Sequence, residues 1–511
     1  FRVKKQKGYR TFSCPLPSAM RATDRFPRAD GAKGCEGDAK LASGGLTASD
    51  VLEELGCGPA QLRVALFAGL RSFLDGALSM VVTSMTDNVR QELDLTGFQG
   101  NLLLATFFVG SLIGTTFGGA ISDRYGRKQV LVTACWICVA GAGMSMFSYD
   151  VWSVGLTRFV MGFSLGYGMS TQTTLVAETS PTRWRLVFMT LTLAMNYVGE
   201  LFIGLCMIAD DPSIMSLHWR TLTVVGVVPA VPVTLMMTAY LCESPIYLAS
   251  RGQHKEAEDV FAALRKQNGL PDVPVRLAPK SAVCASGVTW THQLQTLFGR
   301  KMVFTTFTSC WLYLCVVGLH YGSMVAFARG MFRGINIGSS SAAGITLGAL
   351  SELGGSVALL FLIAYPRKPV MFTTFSARTA AMAAFAFASS RQHKGAVMTL
   401  IAAVAYHVTK IGHPLAQQPA LTYVSEVFPT SSRSLGVAIG SSVGRLCAAV
   451  SPAIGDVEGF FWFAAGMHGI GMLLIALLPY ETYGQPLRDD EDCHESAEYG
   501  AIDGLAYCNQ G

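Results

Sequence analysis

Eight ionisable side chains stand inside long apolar runs of this sequence. Asp75, Glu200 and Glu352 are acidic; Arg71, Arg158, Arg378, Lys410 and Arg445 are basic. A charge at the centre of a bilayer-spanning segment costs about 3 kcal/mol or more, so such groups face a polar cavity or a partner. A carboxyl in that setting can hold and release a proton. A guanidinium offers a planar fork that grips a carboxylate. Five cations against three acids lean toward an anionic ligand group.

Arg71 and Asp75 are four residues apart and share a helical face. In one reading Asp75 is a proton or cation site that Arg71 keeps ionised until substrate competes for the arginine. In the other the pair is mutually neutralising and holds its helix against its neighbours. Glu352 and Glu200 are further proton-coupling candidates, and Lys410 is a candidate substrate contact. Tyr313, His320 and Tyr321 are candidate cavity aromatics, with lipid-facing or bundle packing as the alternative. His407 and His413 are titratable near neutrality but six apart, which is no same-face spacing, so no metal site is expected. Cys135-Trp136-Ile137-Cys138 has redox or metal spacing, yet it lies in mid-run and reads as small apolar filler.

The elements that must position these groups are apolar spans. The chain has 511 residues, 51% hydrophobic and 14% charged, with mean hydropathy +0.39. Soluble chains carry about a quarter charged residues, so lipid is the main solvent here. A helix crosses a bilayer in about 20 residues. Twelve runs of about that length or more lie near 62–85, 101–121, 129–148, 151–176, 186–208, 221–241, 302–325, 345–365, 370–389, 396–424, 434–454 and 459–479. The expected fold is an all-α integral membrane protein of two six-helix bundles. Its expected division is a basic arm (1–60), a first bundle (61–242), a polar linker (243–300) with helical periodicity around 254–266, a second bundle (301–480) and an acidic tail (481–511).

Positive charges in short loops set orientation. Arg124, Arg127, Lys128, Arg183, Arg185, Arg251, Lys255, Arg367 and Lys368 fall on the side of the N-terminus, which predicts both termini in the cytoplasm. Arg329, Arg333, Arg391 and Lys394 fall opposite and weaken the bias without reversing it. The basic arm suits anionic lipid rather than nucleic acid. The first fifty residues lack the apolar core of a signal peptide. No phosphate-binding G-x-x-x-x-G-K-S/T segment and no nucleophile–base constellation is present, so neither ATP-driven pumping, nor an enzyme, nor a cofactor is expected.

Between the second and third spans lies Gly119-Ala120-Ile121-Ser122-Asp123-Arg124-Tyr125-Gly126-Arg127-Lys128. Gly119 is expected to admit a close helix approach, and Gly126 a backbone conformation that other residues resist. The fourth and tenth spans end alike, in Glu178-Thr179-Ser180-Pro181-Thr182-Arg183-Trp184-Arg185 and Glu426-Val427-Phe428-Pro429-Thr430-Ser431-Ser432-Arg433. In both, Glu precedes Pro by three, Pro stops the helix, and the charges remain at the interface to pair with neighbouring loops. The halves read as repeats. The counterpart of the 119–128 turn, Tyr365-Pro366-Arg367-Lys368, lacks the Asp and both glycines, so no lock is expected there.

The order G-x-x-x-D-R-x-G-R-K resembles the loop 2–3 motif of the major facilitator superfamily, which implies that Asp123 and Arg124 help lock neighbouring helices in one of two transport states. Glu243-Ser244-Pro245-Ile246-Tyr247-Leu248, Glu256-Ala257 and Glu481-Thr482-Tyr483-Gly484 resemble motifs shared by sugar porters, organic cation/anion transporters and synaptic-vesicle-2-related proteins. The short 86–100 loop and Phe73-Leu74-Asp75-Gly76-Ala77-Leu78-Ser79-Met80 are similar to the last group. The Gln-Gln pair that sugar porters carry in helix 7 is missing, and Gln417-Gln418 lies in the tenth span instead. Arg158-Phe159-Val160-Met161-Gly162 resembles a helix 4 motif implicated in proton coupling, with Met161 in place of its usual polar residue. Arg445 resembles the helix 11 arginine with which organic anion carriers hold carboxylates; structural pairing with Glu352 or Glu200 is the alternative.

The resemblance implies a secondary transporter of a small organic ion, leaning anionic, that works by alternating access with a proton or an exchanged counter-ion. It implies a monomer in the plasma membrane or an endomembrane vesicle. Sugar and organic cation are the other substrate classes. A transporter-like protein that binds a ligand or partner without net transport is the rival, motivated by the degenerate second turn and by Met161.

Overall fold

The computed structural model describes residues 48–271, 277, 290–332, 339–362, 365–391, 395–429, 432–454 and 457–482. The basic arm through Thr47, the acidic tail from Tyr483, and Arg333 and Lys394 lie outside the described residues.

Among the described residues, ten helices are long and apolar enough to cross a membrane. They are α1 (Pro59–Ser84), α2 (Gly97–Tyr125), α3 (Arg127–Ser145), α5 (Thr182–Asp210), α6 (Trp219–Tyr240), α7 (Val303–Phe332), α8 (Ser341–Leu362), α9 (Arg367–Ser389), α11 (Leu435–Ala453) and α12 (Val457–Ala476). Two more, α4 (Val151–Thr179) and α10 (Ala396–Val427), are 29 and 32 residues long. Their lower apolarity comes from residues they turn inward: Arg158, Thr171 and Gln172 on α4, and Lys410, His413 and Gln417 on α10, are all buried. Six helices therefore precede the polar 243–300 segment and six follow it, as the apolar runs predict.

Local chemistry explains the boundaries. Thr96 caps α2 by accepting from Gln99 N, while Gln99 Oε1 accepts from Thr96 N. Asp150 caps α4 by accepting from Ser153 N at 2.9 Å. Gly126 ends α2 at φ +105°, which confirms the need for glycine there. Pro229 interrupts α6 between Val227 and Ala230. Within α7, Leu314–Gly318 forms a π-turn that packs against α11.

The short 86–100 connection is more ordered than a plain loop, because Thr86–Glu92 is helical. Tertiary partners hold it: Trp219 Nε1 donates to Glu92, Arg220 pairs with Glu92, and Asn88 donates to Ile214 O. Polar linker residues form helices at Pro245–Ser250, His254–Gln267 and Trp290–Phe298.

In α1 and α7 the most apolar windows are 83% and 78% buried, against 39–44% in the other eight candidate spans. Those two helices are interior, whereas the others turn an apolar face outward, as lipid contact requires. Within the first half, α2 packs on α4 and α1 on α5; within the second, α9 packs on α10 and α12. The halves meet where α5 lies along α8 and α2 along α11.

The α2–α4 contact is backbone on backbone. A Cβ at Gly110, Gly114 or Gly118 would collide with the carbonyls of Phe159, Phe163 or Tyr167, and one at Gly162 or Gly166 with those of Phe107 or Ser111. Gly119 is not part of this seam; a Cβ there would meet only Ser170 Oγ, at 3.9 Å. The four-residue repeat 110–114–118 keeps one face, and the next residue is turned about 100° away. The close approach expected of Gly119 is thus made by its neighbour.

Candidate functional site

Call the end that carries the 119–128 turn the motif end, and the other the far end. At the motif end, the Glu243 carboxylate accepts from the backbone N–H of Arg127 at 2.8 Å and of Lys128 at 3.2 Å, capping α3. The Arg127 guanidinium donates to both oxygens of Glu178, at 3.0 and 3.1 Å, and lies 4.6 Å from the centre of the Tyr247 ring. Tyr247 in turn donates to Arg124 O. Three separate sequence motifs thus converge on one turn.

Other members of the gating set stay apart. Asp123 is exposed and pairs with Arg127 of its own turn at 3.0 Å, and Arg124 is exposed. Arg183 is exposed, and Arg185 is half-buried with its Nε unpartnered, so neither arginine forms the expected link to this turn among the described contacts.

The degenerate second turn holds more than a basic pair. Glu481 accepts from Arg367 N at 2.9 Å and Lys368 N at 3.0 Å, capping α9, and Arg367 Nε lies 3.9 Å from Glu426. Glu481, Arg367 and Glu426 therefore repeat the roles of Glu243, Arg127 and Glu178. Arg433 is half-buried and donates to Phe428 O.

At the centre, all eight charged candidates are buried. Arg71 forms an ion pair with Asp75 and donates to Ser164 O of α4 at 2.8 Å. Arg158 donates to Val82 O of α1 at 2.9 Å. Lys410 Nζ lies 3.2 Å from Glu352 Oε1. Glu200 faces Glu352 across the α5–α8 contact.

Arg445 reaches from α11 to the first half, donating to the Ser111 hydroxyl and to Met169 Sδ. It pairs with neither Glu352 nor Glu200, the structural role that its position left open. Tyr313 is buried and packs on Gly440 and Gly444 of α11, while Tyr321 lies 4.9 Å from Phe108 at the seam.

Two features were not legible in spacing. His320 and His413 stack face to face, ring centres 3.4 Å apart, although they lie on α7 and α10. Arg378 on α9 is fully buried, and its three guanidinium nitrogens have no partner among the described residues. No group of three or more metal-ligating side chains occurs among the described residues.

At the far end the halves are tied together. Arg329 donates to Asn101 at 2.5 Å and to Pro452 O at 2.7 Å, and Ala342 N donates to Pro212 O. At the motif end a shallow cleft lies between the halves, lined by Leu186 and Thr190 on one side and by Leu359, Tyr365, Gln418 and Thr422 on the other.

The sequence profile described as sugar (and other) transporter matches residues 64–491. The chain belongs to this family. It is 25% identical to the synaptic vesicle 2-related protein of Bos taurus over 473 residues, covering 86% of this chain and 82% of that protein. It is 25% identical to organic cation/carnitine transporter 6 of Arabidopsis thaliana over 414 residues, covering 77% and 74%. The inward open xylose transporter XylE from E. coli superposes with a TM-score of 0.65 at 18% identity, covering 85% of this chain and 99% of that one. The fold is the major facilitator fold, and the protein is a multi-pass membrane transporter rather than an enzyme.

Proposed function

We propose that the protein moves a small organic anion across its membrane by alternating access, coupled to a proton. The observation that carries this reading is Arg445: a buried guanidinium at the seam, bonded among the described residues only to a hydroxyl and a thioether of the opposite half. Both partners are weaker acceptors than a carboxylate, so an anionic substrate can displace them. Two of the three buried acids, Asp75 and Glu352, already have cationic partners, which favours an anionic over a cationic substrate.

Asp75 and Arg158 are the proposed coupling groups on the first half. Protonation of Asp75 frees Arg71, so proton and anion can bias the same rocking equilibrium. Lys410, Tyr313 and Tyr321 are the proposed remaining substrate contacts. We take the motif end as cytoplasmic from its basic loops, with both termini on that side and a basic arm against anionic lipid. The names of the vesicle-related relatives favour an endomembrane vesicle over the plasma membrane, and we take the working unit as a monomer.

The test is uptake into proteoliposomes of a panel of carboxylates, organic cations and sugars, with and without an inward proton gradient. Carboxylate uptake that needs Arg445 and loses its pH dependence in Asp75→Asn supports the proposal. Uptake of a sugar or cation that is indifferent to Arg445→Ala overturns the substrate class. Ligand binding without uptake across the panel overturns transport itself.

A further inference from the structure

The α5–α8 contact holds two carboxyls that the transport reading does not pair. Glu200 is 1% and Glu352 0% exposed, and the two carboxyls are neighbours across the α5–α8 seam. Each commits one oxygen elsewhere. In the amide orientation that satisfies its neighbours, Asn196 donates to Glu200 Oε1 at 3.2 Å and accepts from Gly76 N at 3.1 Å. Glu352 Oε1 accepts from Lys410 Nζ at 3.2 Å. Each Oε2 is buried and receives no donor from the described residues.

Ionised carboxyls are acceptors only, so two of them cannot bond to one another. Buried side by side, they repel and leave two orphaned oxygens. The cations nearby do not resolve this. Lys410 reaches the other oxygen of Glu352, and the Arg378 guanidinium donates to neither carboxyl. His320 Nδ1, from α7, lies 3.8 Å from Glu352 Oε1, outside hydrogen-bonding range. Tyr197 of α5 spends its hydroxyl proton on Gln417, and Tyr406 of α10 on Gly344 O. Tyr321 of α7 lies near Glu200. One proton satisfies every atom: a neutral Glu200 donates to an ionised Glu352, whose charge Lys410 balances.

We propose that Glu200 and Glu352 form a single proton-binding site split between the two halves, in which the shared proton holds α5 against α8. Release of the proton to water leaves two carboxylates facing each other and pushes the helices apart. Glu200 stands nearer the far end of α5, so the far end opens. The proton thereby selects the face on which the central charges are reached. Only this last consequence rests on the transport reading; the shared proton does not.

Infrared spectroscopy of the full chain in lipid nanodiscs tests the proton directly. A protonated-carboxyl carbonyl band that shifts in heavy water is expected at neutral pH, retained in Glu200→Asp and lost in Glu200→Gln. Spin labels at Phe147 and Val397, exposed far-end positions on opposite halves, report separation. Their distance is expected to lengthen as pH rises in the otherwise unaltered protein and to stay fixed in Glu200→Gln, whose amide donates without a titrating proton. A band that persists in both Glu200→Gln and Glu352→Gln overturns the proposal, as does a wild-type pH response in Glu200→Gln. Absence of uptake with band and distances as expected counts against transport and leaves the split site standing.

Discussion

The carboxylate of Glu481 accepts a hydrogen bond from the backbone amide of Arg367, 114 residues earlier in the chain, at 2.9 Å. Glu243 does the same for Arg127 at 2.8 Å. Each half thus ends in a glutamate that returns to cap its own third helix. An anion on unsatisfied N–H groups at a helix start contributes through hydrogen bonds and through the helix dipole. Glu243→Gln and Glu481→Gln are each expected to cost about 1–2 kcal/mol, read as a lower midpoint of thermal unfolding in detergent. A double variant should show near-additive loss, since the two caps belong to different halves.

The glycine seam between α2 and α4 leaves no room for side chains. Gly114→Val and Gly162→Val are expected to destabilise by about 1–3 kcal/mol or more through overpacking and to lower the yield of folded protein. Gly119→Ala should fall within about 0.5 kcal/mol of the parent. Thermal unfolding of the three variants side by side checks both halves of the statement.

Arg329 joins α7 to α2 and to the end of α11 through Asn101 and Pro452 O. Its replacement by alanine removes both bonds and should shift the population toward a state open at the far end. Cysteines introduced at seam positions just inside that end are expected to react several-fold faster with a membrane-impermeant maleimide in Arg329→Ala than in the parent.

Arg445→Ala should lower carboxylate uptake at least tenfold, and Arg445→Lys should restore only part of it, because an ammonium lacks the fork. Ser111→Ala removes a partner without removing the guanidinium, so affinity should hold or rise. Initial rates across substrate concentration separate these outcomes.

Asp211, in the loop after α5, gives a pH dependence whose sign can be worked out. Partial burial works against its ionised form, but donors from Ser213 and Ser216 prevail and pull its pKa down to about 2. A carboxyl held below its usual value of about 3.9 contributes stability above that value, lost as pH falls through about 2. The Ser213 and Ser216 amides, 2.9 and 2.8 Å from the Asp211 carboxylate, should therefore keep their hydrogen-exchange protection from pH 7 down to pH 4, after correction for intrinsic rates. Asp211→Asn should weaken it throughout.

The spans and the paired halves were legible because lipid imposes one simple rule, an unbroken apolar length, and the chain obeys it even where α4 and α10 relax it with inward polar residues. The α3 turn was legible because its letters are dense. Its α9 counterpart was not, because the role survives there in backbone amides and one distant glutamate, which need neither the Asp nor the glycines of the first turn. The charged centre could be named residue by residue, but not paired. Arg71 with Asp75 follows from spacing on one helix, whereas Glu352 with Lys410, Glu200 with Glu352, and the stacked His320 and His413 join different helices. Local periodicity holds no information about which helices meet. Arg378 was visible as a buried charge, yet nothing in sequence marks a guanidinium left without a partner.

The glycine contacts also divide the molecule mechanically. Where α2 lies on α4, main chain touches main chain, and no rotamer change can take up strain. Where α5 lies on α8, Gly204 also sits close against Thr346, but the Glu200 and Glu352 carboxyls beside it can rearrange by turning about single bonds. Load applied to the α2–α4 pair is therefore passed on whole, as through a stiff plate, and is taken up at the carboxyl joint between the plates.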